Sequence, residues 1–196
     1  MHNCIFTPHC TEITCDRSCP ILVETSYLLE RNGISMQSEV FKNPPDKWNI
    51  SAATEIIRSA EGGCKVVTTP NTVQVAEFLT YCAVCQNWQG SRLHCNVYNL
   101  KYSTYIDSIK KSWTSKSEPE ELEYMRIWAN SAKVLIISNI DFVNFGDFES
   151  QTLLSMLQSR RDVFKSTIIV GPKLTSLVGK GEFFKLLQAT LGKVVK

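Results

Sequence analysis

The sequence lacks any long hydrophobic run. Its longest apolar stretches, at residues 134–137 and 167–170, are far too short to span a bilayer. Residues 1–20 contain no apolar signal stretch. We therefore expect neither a membrane location nor secretion, and we predict a cytoplasmic protein.

Histidine and glycine are both scarce, with three and nine residues in the whole chain. His94 adjoins Cys95, but consecutive residues of a strand point to opposite faces and do not form a nucleophile–base pair. No paired-carboxylate motif and no glycine-rich turn stands out. The sequence therefore offers no catalytic residue of the common hydrolytic types.

Charge is present but unevenly distributed. The hydrophobic share is 43% and the charged share 20%, which suits a packed globular core. The net charge is +2, yet residues 159–196 hold eight bases against two acids, while residues 114–150 hold seven acids against three bases. A basic C-terminal part suits nucleic acid or an acidic partner, and a solvated basic face is the alternative.

Four of the eight cysteines lie within the first 19 residues. Cys4, Cys10, Cys15 and Cys19 are separated by five, four and three residues. Without a signal stretch, such a cluster favours metal binding over disulfides, and four thiolates complete a tetrahedral structural zinc site. His9 is an alternative ligand to one of the thiolates, and four free thiols are the other possibility.

The remaining four cysteines fall in or beside predicted helices and strands. Cysteine in such positions behaves as a small buried hydrophobe. We therefore expect no second metal site among Cys64, Cys82, Cys85 and Cys95.

Helical and strand patterns alternate along most of the chain. The predicted strands are apolar without alternation, which is typical of a parallel sheet covered by helices on both faces. The sequence thus predicts an α/β fold. The predicted strands are 65–69, 93–100, 133–138 and 166–171, and the predicted helices are 20–31, 51–60, 72–86, 104–113, 119–131, 148–161 and 182–191.

The order of these parts resembles a known family. The cysteine cluster leads into the helix sequence SYLLERNGI at residues 26–34, and an α/β domain follows a linker. Residues 128–177 resemble a strand, a helix ending in arginine and a sensor strand. This arrangement is similar to the DnaC/DnaI-like helicase loaders of phages and mobile elements of Gram-positive bacteria, which are AAA+ ATPases.

The resemblance implies a division of the chain and an architecture. It predicts a zinc knuckle plus helix at 1–34, a linker at 35–50 and an AAA+-like α/β domain at 51–196. It implies a P-loop-type parallel sheet flanked by helices, with a small N-terminal zinc-binding module.

The nucleotide-binding parts of that family are missing here. A P-loop needs glycines for close phosphate approach and a lysine for the β- and γ-phosphates. The matching residues 68–74 read TTPNTVQ, with no glycine and no lysine. Pro70 also lacks the amide hydrogen that a phosphate would accept. The Walker A element is therefore predicted to be absent.

The second acidic site and the sensor are missing as well. The predicted strand at residues 133–138 ends in Ser138, and Asn139 and Ile140 follow before the first acid, Asp141. We expect the geometry of Asp141 to be wrong for a carboxylate at the strand tip. Residues 171–173 read GPK in place of a polar sensor pair. We therefore predict a pseudo-ATPase that lacks Walker A, Walker B and sensor residues and does not turn over ATP, with weak nucleotide binding left open.

The resemblance implies a role in DNA replication. We predict a non-hydrolysing accessory of helicase loading that binds a replicative helicase, an AAA+ loader or single-stranded DNA, in hetero- or homo-oligomers and away from membranes. One alternative is an inhibitor or decoy of a host helicase or loader. A zinc-containing DNA-binding regulator is the other.

Candidate contact residues are basic. Arg160 and Arg161 end a predicted helix, where they either contact a subunit or phosphate backbone or match the helix macrodipole. Lys110 and Lys111 lie near Lys101 among aromatic residues that either stack on single-stranded bases or pack in a core. The aromatic residues are Tyr98, Tyr102, Tyr105 and Trp113.

Overall fold

A four-stranded parallel sheet forms the centre of the protein. The computed structural model describes residues 20–35, 49–89, 97–115 and 119–172. The sheet order is β1-β4-β3-β2 and every pairing is parallel, which confirms the predicted parallel α/β architecture. The strands are Cys64–Thr68 (β1), Val97–Lys101 (β2), Val134–Ser138 (β3) and Ser166–Gly171 (β4).

Helices cover both faces of the sheet. One face packs against Pro20–Arg31 (α1), Ile50–Ser59 (α2) and Thr72–Gln89 (α3). The other packs against Tyr102–Ser112 (α4), Glu120–Ser131 (α5) and Asp147–Asp162 (α6). Within the described ranges, no helix has the length and apolar character needed to cross a membrane.

The alternation of strand side chains creates two separate cores. In β3, Val134 and Ile136 join the cluster under α1, α2 and α3. Leu135 and Ile137 point the other way and join the cluster under α4, α5 and α6. Every residue of β3 is buried, which explains why its sequence is apolar without alternation.

Several element boundaries differ from the sequence prediction. α2 begins at Ile50, one residue before the predicted start, because the side chain of Asn49 accepts a hydrogen bond from the Ala52 amide and caps the helix. α4 begins earlier than predicted, at Tyr102 directly after β2. The predicted helix at 182–191 lies outside the described residues.

α1 packs into the core of the α/β domain. Leu28, Leu29 and Ile34 are buried in the same cluster as the apolar side chains of α3. Asn32 Nδ2 donates to the Val97 carbonyl at 3.3 Å, and Asn32 Oδ1 accepts from the Asn99 amide at 2.6 Å. The prediction grouped this helix with the cysteine cluster, whereas its buried side chains belong with the sheet.

Candidate functional site

The carboxyl edge of the sheet is the first candidate site. The helix that follows β1 covers one face, and the helix that follows β3 covers the other. When the helices that follow different strands cover opposite faces, a crevice opens at the carboxyl ends of the strands, where open α/β sheets bind ligands. The family resemblance places its nucleotide at the same turn.

The β1–α3 turn uses its own backbone groups internally. The Thr69 amide donates to the Gly171 carbonyl of β4 at 3.0 Å, and the Asn71 amide donates to Thr69 Oγ1 at 3.2 Å. Between them, Pro70 has no amide hydrogen. Three consecutive positions of the turn are therefore not free to donate to a phosphate.

The end of β3 contacts this same turn. Asn139 has a left-handed backbone with φ 56°, and the 3-10 turn Ile140–Phe142 follows. This bend places Asp141 Oδ2 3.5 Å from the hydroxyl of Thr72, which donates to it. The carboxylate of Asp141 therefore lies beside the first residue of α3.

The crevice has oxygen ligands but a poor set for a nucleotide. Asn139 Oδ1 and Asp141 Oδ1 are buried and have no hydrogen-bond partner within the described ranges. These oxygens would suit a cation. However, residues 68–74 provide no lysine and no glycine for a triphosphate. The arrangement does not fit the phosphate cradle of an ATPase.

Arg160 lies in the interior, not on a contact surface. Its side chain is 1% exposed, which removes it from the candidate contact residues. Its guanidinium donates to the carbonyls of Ala129 and Ala132 at 2.7 and 3.0 Å, to the Ser166 carbonyl at 2.6 Å, and to Thr167 Oγ1 at 2.9 Å. Arg160 therefore ties the C-terminal end of α5 to the start of β4.

Arg160 also contacts the C-terminal end of a different helix from the one that the sequence suggests. Two of its acceptors belong to the last turn of α5 and the residue after it, so it stabilises the negative end of α5 rather than that of its own helix. Burial lowers the pKa of Arg160 to about 10. Arg161, in contrast, is exposed at the end of α6.

The predicted aromatic and basic cluster divides into buried and exposed members. Tyr102 and Tyr105 are buried, as the core alternative expected. Trp113 is 62% exposed and meets Phe148 edge to face at a centroid distance of 4.9 Å. Lys111 is exposed on the last turn of α4.

Lys110 is held by an ion pair. Its Nζ lies 2.7 Å from Glu149 Oε1, and the other carboxylate oxygen accepts from the Gly146 amide at 2.8 Å. The Lys110 hydrogen bond lowers the pKa of Glu149, against the opposing effect of burial. The buried hydroxyl of Tyr102 donates to the Glu149 carbonyl at 2.6 Å, so this end of α6 is fixed firmly against α4.

A cavity of about 530 Å³ lies between α4, α5 and α6, next to this cluster. Sequence reasoning did not find it. A polar stripe on α6 is the signal that was available, because Gln151, Ser155 and Ser159 recur at intervals of four residues on one helix face. Tyr105, Arg126, Asn130 and Phe148 also line the cavity.

The predicted zinc ligands Cys4, Cys10, Cys15 and Cys19, and the alternative ligand His9, lie outside the described residues. In the part of the chain that the structure covers, no group of three or more metal-ligating side chains comes together.

Of the other cysteines, Cys82 is buried as expected, and burial raises the pKa of its thiol to about 12. Cys64 is partly exposed by surface area, yet burial likewise raises its pKa to about 12. Neither thiol is therefore a thiolate at neutral pH. Such thiols behave as small hydrophobes rather than as nucleophiles or metal ligands.

Sequence comparisons add no family assignment. No protein-family model matches the chain, and no curated protein shows significant similarity to it. The chain is thus characterised by its fold and by two candidate sites, the carboxyl edge of the sheet and the cavity between α4, α5 and α6.

Proposed function

We propose that this protein is a non-hydrolysing, AAA+-like DNA-replication protein that acts by binding. Its partners are a replicative helicase, a helicase loader or single-stranded DNA, and its role is that of an accessory in helicase loading. The proposal joins the family resemblance of the sequence to a parallel sheet whose carboxyl edge has no phosphate cradle.

The observation that carries the proposal is the closed β1–α3 turn. Its amides bond within the protein, and Pro70 between them has no amide hydrogen. An ATPase needs this turn open to phosphates. A protein with this edge has the parallel sheet that the family resemblance implies, but its β1–α3 turn cannot hold the phosphates of ATP for hydrolysis.

Binding remains the activity that such a scaffold supports. In the family resemblance, the N-terminal zinc module engages the helicase, and the core contacts DNA and other subunits. α1 is joined to the sheet by Asn32, so the helix that follows the predicted zinc module is part of the core.

ATP turnover and partner binding test the proposal separately. Purified protein should show no ATP hydrolysis above background, and calorimetry with ATP and magnesium should show no binding of ordinary P-loop strength. Turnover that disappears in Asp141→Asn would contradict the proposal, because it would show that the carboxyl edge is catalytic. Tagged protein should capture a replicative helicase or its loader from a host lysate.

The direction of the effect separates the accessory from the inhibitor. In a reconstituted loading reaction, an accessory raises the amount of helicase placed on single-stranded DNA, whereas a decoy lowers it. A regulator that binds DNA through the zinc module alone would leave the amount of loaded helicase unchanged.

The zinc module has its own test. Metal analysis of the full chain should give close to one zinc per molecule, and Cys15→Ser should release it. Cys82→Ser is the matched control, because Cys82 is buried in the core and should leave the metal content unchanged. A folded protein without zinc would refute the assignment of Cys4, Cys10, Cys15 and Cys19.

A further inference from the structure

The turn at residues 163–165, between α6 and β4, presents an aromatic ring to solvent. Phe164 is 82% exposed, more than any other large apolar residue in the described ranges, and Val163 before it is 58% exposed. Isolated exposed apolar residues are ordinary on protein surfaces, so exposure alone would indicate nothing. The backbone conformation of Phe164 is what distinguishes this turn.

Phe164 has a left-handed backbone, with φ 54°. A bulky residue rarely adopts this conformation, because its Cβ comes too close to the following carbonyl oxygen. Two hydrogen bonds hold it: the Phe164 amide donates to the Arg161 carbonyl at 3.0 Å, and the Lys165 amide donates to the Arg160 carbonyl at 3.0 Å. This is the Schellman pattern of a helix end, in which glycine usually takes the left-handed position.

The end of α1 has the same hydrogen bonds with the usual residue. The Gly33 amide donates to the Glu30 carbonyl at 2.8 Å, the Ile34 amide donates to the Leu29 carbonyl at 2.9 Å, and φ at Gly33 is 69°. α6 therefore ends in the same motif as α1, with a phenylalanine in place of the glycine. Strained backbone of this kind is concentrated at functional sites, where the surrounding structure maintains it.

The turn is held at both ends by the core. Before it, the guanidinium of Arg160 donates four hydrogen bonds to buried acceptors. After it, Ser166 Oγ accepts from the Gly62 amide at 3.3 Å, and the Thr167 amide donates to the Gly63 carbonyl at 2.8 Å. The Phe164 ring thus projects from a fixed base. A contact residue that is already fixed loses little conformational entropy on binding.

The charges around the turn indicate the chemistry of a partner. Charged residues lie on the turn, on the neighbouring turn between α2 and β1, and beside Ser166, and they are Arg58, Glu61, Lys133, Arg161, Asp162 and Lys165. Four bases against two acids leave an excess of two positive charges. Neither the approach of Arg161 to Asp162 at 4.0 Å nor the hydrogen bond of Lys165 to a neutral carbonyl changes that excess. An apolar projection with this surround is complementary to an apolar pocket bordered by carboxylates.

We propose that the turn at residues 163–165 is a docking site for a protein partner. Phe164 is the anchor that fills an apolar pocket on the partner, and Val163 adds apolar contact beside the ring. Carboxylates on the rim of that pocket face the basic residues around the turn. The inference does not require the partner to be a helicase or a loader, so it can fail while the proposed function holds.

A lipid surface fits this turn less well. Stable attachment to an anionic bilayer takes an extended apolar face or a cluster of about four to eight basic residues. The turn offers two exposed apolar side chains and a small positive excess, and the carboxylate of Asp162 is exposed beside them. Two side chains suffice for a protein pocket, because one buried aromatic residue can carry a large share of the affinity of an interface.

The test uses the full chain with the photo-crosslinking amino acid p-benzoylphenylalanine in place of Phe164. After irradiation in a host lysate, we expect a crosslinked protein that is absent when p-benzoylphenylalanine replaces Phe142, which is 69% exposed at the opposite edge of the sheet. An excess of unlabelled wild-type chain should suppress the crosslink. Unlabelled Phe164→Gly should suppress it only at concentrations about tenfold higher or more.

Phe164→Gly also separates binding from folding. Glycine takes the left-handed conformation without strain, so this variant should raise the urea midpoint while it weakens binding of the purified crosslinked protein by about tenfold or more. Phe142→Ala is the matched control and should leave the affinity unchanged. Lys133→Glu should weaken binding and its dependence on salt, because it replaces a cation that faces the carboxylates of the partner.

Four outcomes would overturn the inference. The first is no crosslink from residue 164 in a chain that still captures a helicase, which leaves the proposed function standing. The second is full affinity in Phe164→Gly, and the third is a lower urea midpoint in that variant, which would make its loss of binding a folding defect. The fourth is a crosslink to a second copy alone, or Phe164-dependent sedimentation with phosphatidylglycerol–phosphatidylcholine vesicles without any protein crosslink, which assigns the turn to self-association or to lipid.

Discussion

On the face covered by α1, α2 and α3, the sheet meets aliphatic and aromatic side chains, and the buried polar groups there are uncharged, such as Thr25, Asn32 and Thr80. The face covered by α4, α5 and α6 is different. It holds both charged residues that are buried in the described part of the chain, Glu149 and Arg160, and both lie on α6.

The same face contains the cavity and the exposed Trp113. An uncharged face relies mainly on apolar packing, whereas a face with buried charges needs every charged donor and acceptor matched. The difference separates an apolar scaffold face from a face that holds buried charges.

The largest loss is expected from Arg160→Met. The substitution leaves the carbonyls of Ala129, Ala132 and Ser166 buried without their donor, and we expect the free energy of unfolding to fall by about 3–5 kcal/mol. Urea denaturation measures it. Arg161→Met is the matched control, since that neighbour is exposed and should change stability by less than about 0.5 kcal/mol. Equal losses in the two variants would contradict the assigned contacts.

Leu29→Ala tests the scaffold face. Leu29 is fully buried between α1 and the core, and its truncation should lower the free energy of unfolding by about 2–5 kcal/mol in a single transition. Val23→Ala on the same helix, at a position that is 56% exposed, should cost far less. An unchanged urea midpoint for Leu29→Ala would mean that α1 is independent of the α/β domain.

Asn32→Leu should cost about 1–3 kcal/mol, because it removes the donor and the acceptor that meet the Val97 carbonyl and the Asn99 amide. Glu30→Ala, an exposed change two residues earlier, is the control. Backbone hydrogen exchange at Asn99 is the specific readout and should accelerate in Asn32→Leu alone. No change in exchange would mean that the side-chain pairing does not protect β2.

Acid should remove the contribution of Glu149. The folded state lowers the pKa of this carboxyl through its hydrogen bond to Lys110, so the ionised form stabilises the fold. That stability is present above the ordinary pKa of about 4.3 and is lost as pH falls through the lower folded value. The stability advantage over Glu149→Gln, about 1–2 kcal/mol at pH 7, should shrink as pH falls below the ordinary pKa and disappear below the folded one. An advantage that is constant with pH would refute the ion pair.

Local sequence patterns predict the sheet well. β3 and β4 are apolar without alternation because both of their faces are buried, and the predicted bounds of β4 are those of the structure. Burial on both faces makes consecutive residues of a strand apolar. Such a strand can therefore be predicted from the local sequence, without knowledge of any distant contact.

The candidate sites depend on contacts between distant residues. Arg160 looked like a surface charge at a helix end, but its acceptors include carbonyls 28 and 31 residues away in the sequence. The contact of Asp141 with Thr72 likewise joins residues 69 positions apart, and it depends on the left-handed Asn139 and the turn after it. The cavity likewise exists only once three helices are placed on one sheet.

The pairing of Asn32 with β2 has a consequence for self-association. β2 is an edge strand of the described sheet, and an uncovered edge is a template for a strand from another molecule. Here one amide side chain occupies the Val97 carbonyl and the Asn99 amide, the groups that an incoming strand would need. A single side chain just beyond the end of α1 thus covers two of the backbone groups through which a strand from another molecule could pair with this edge.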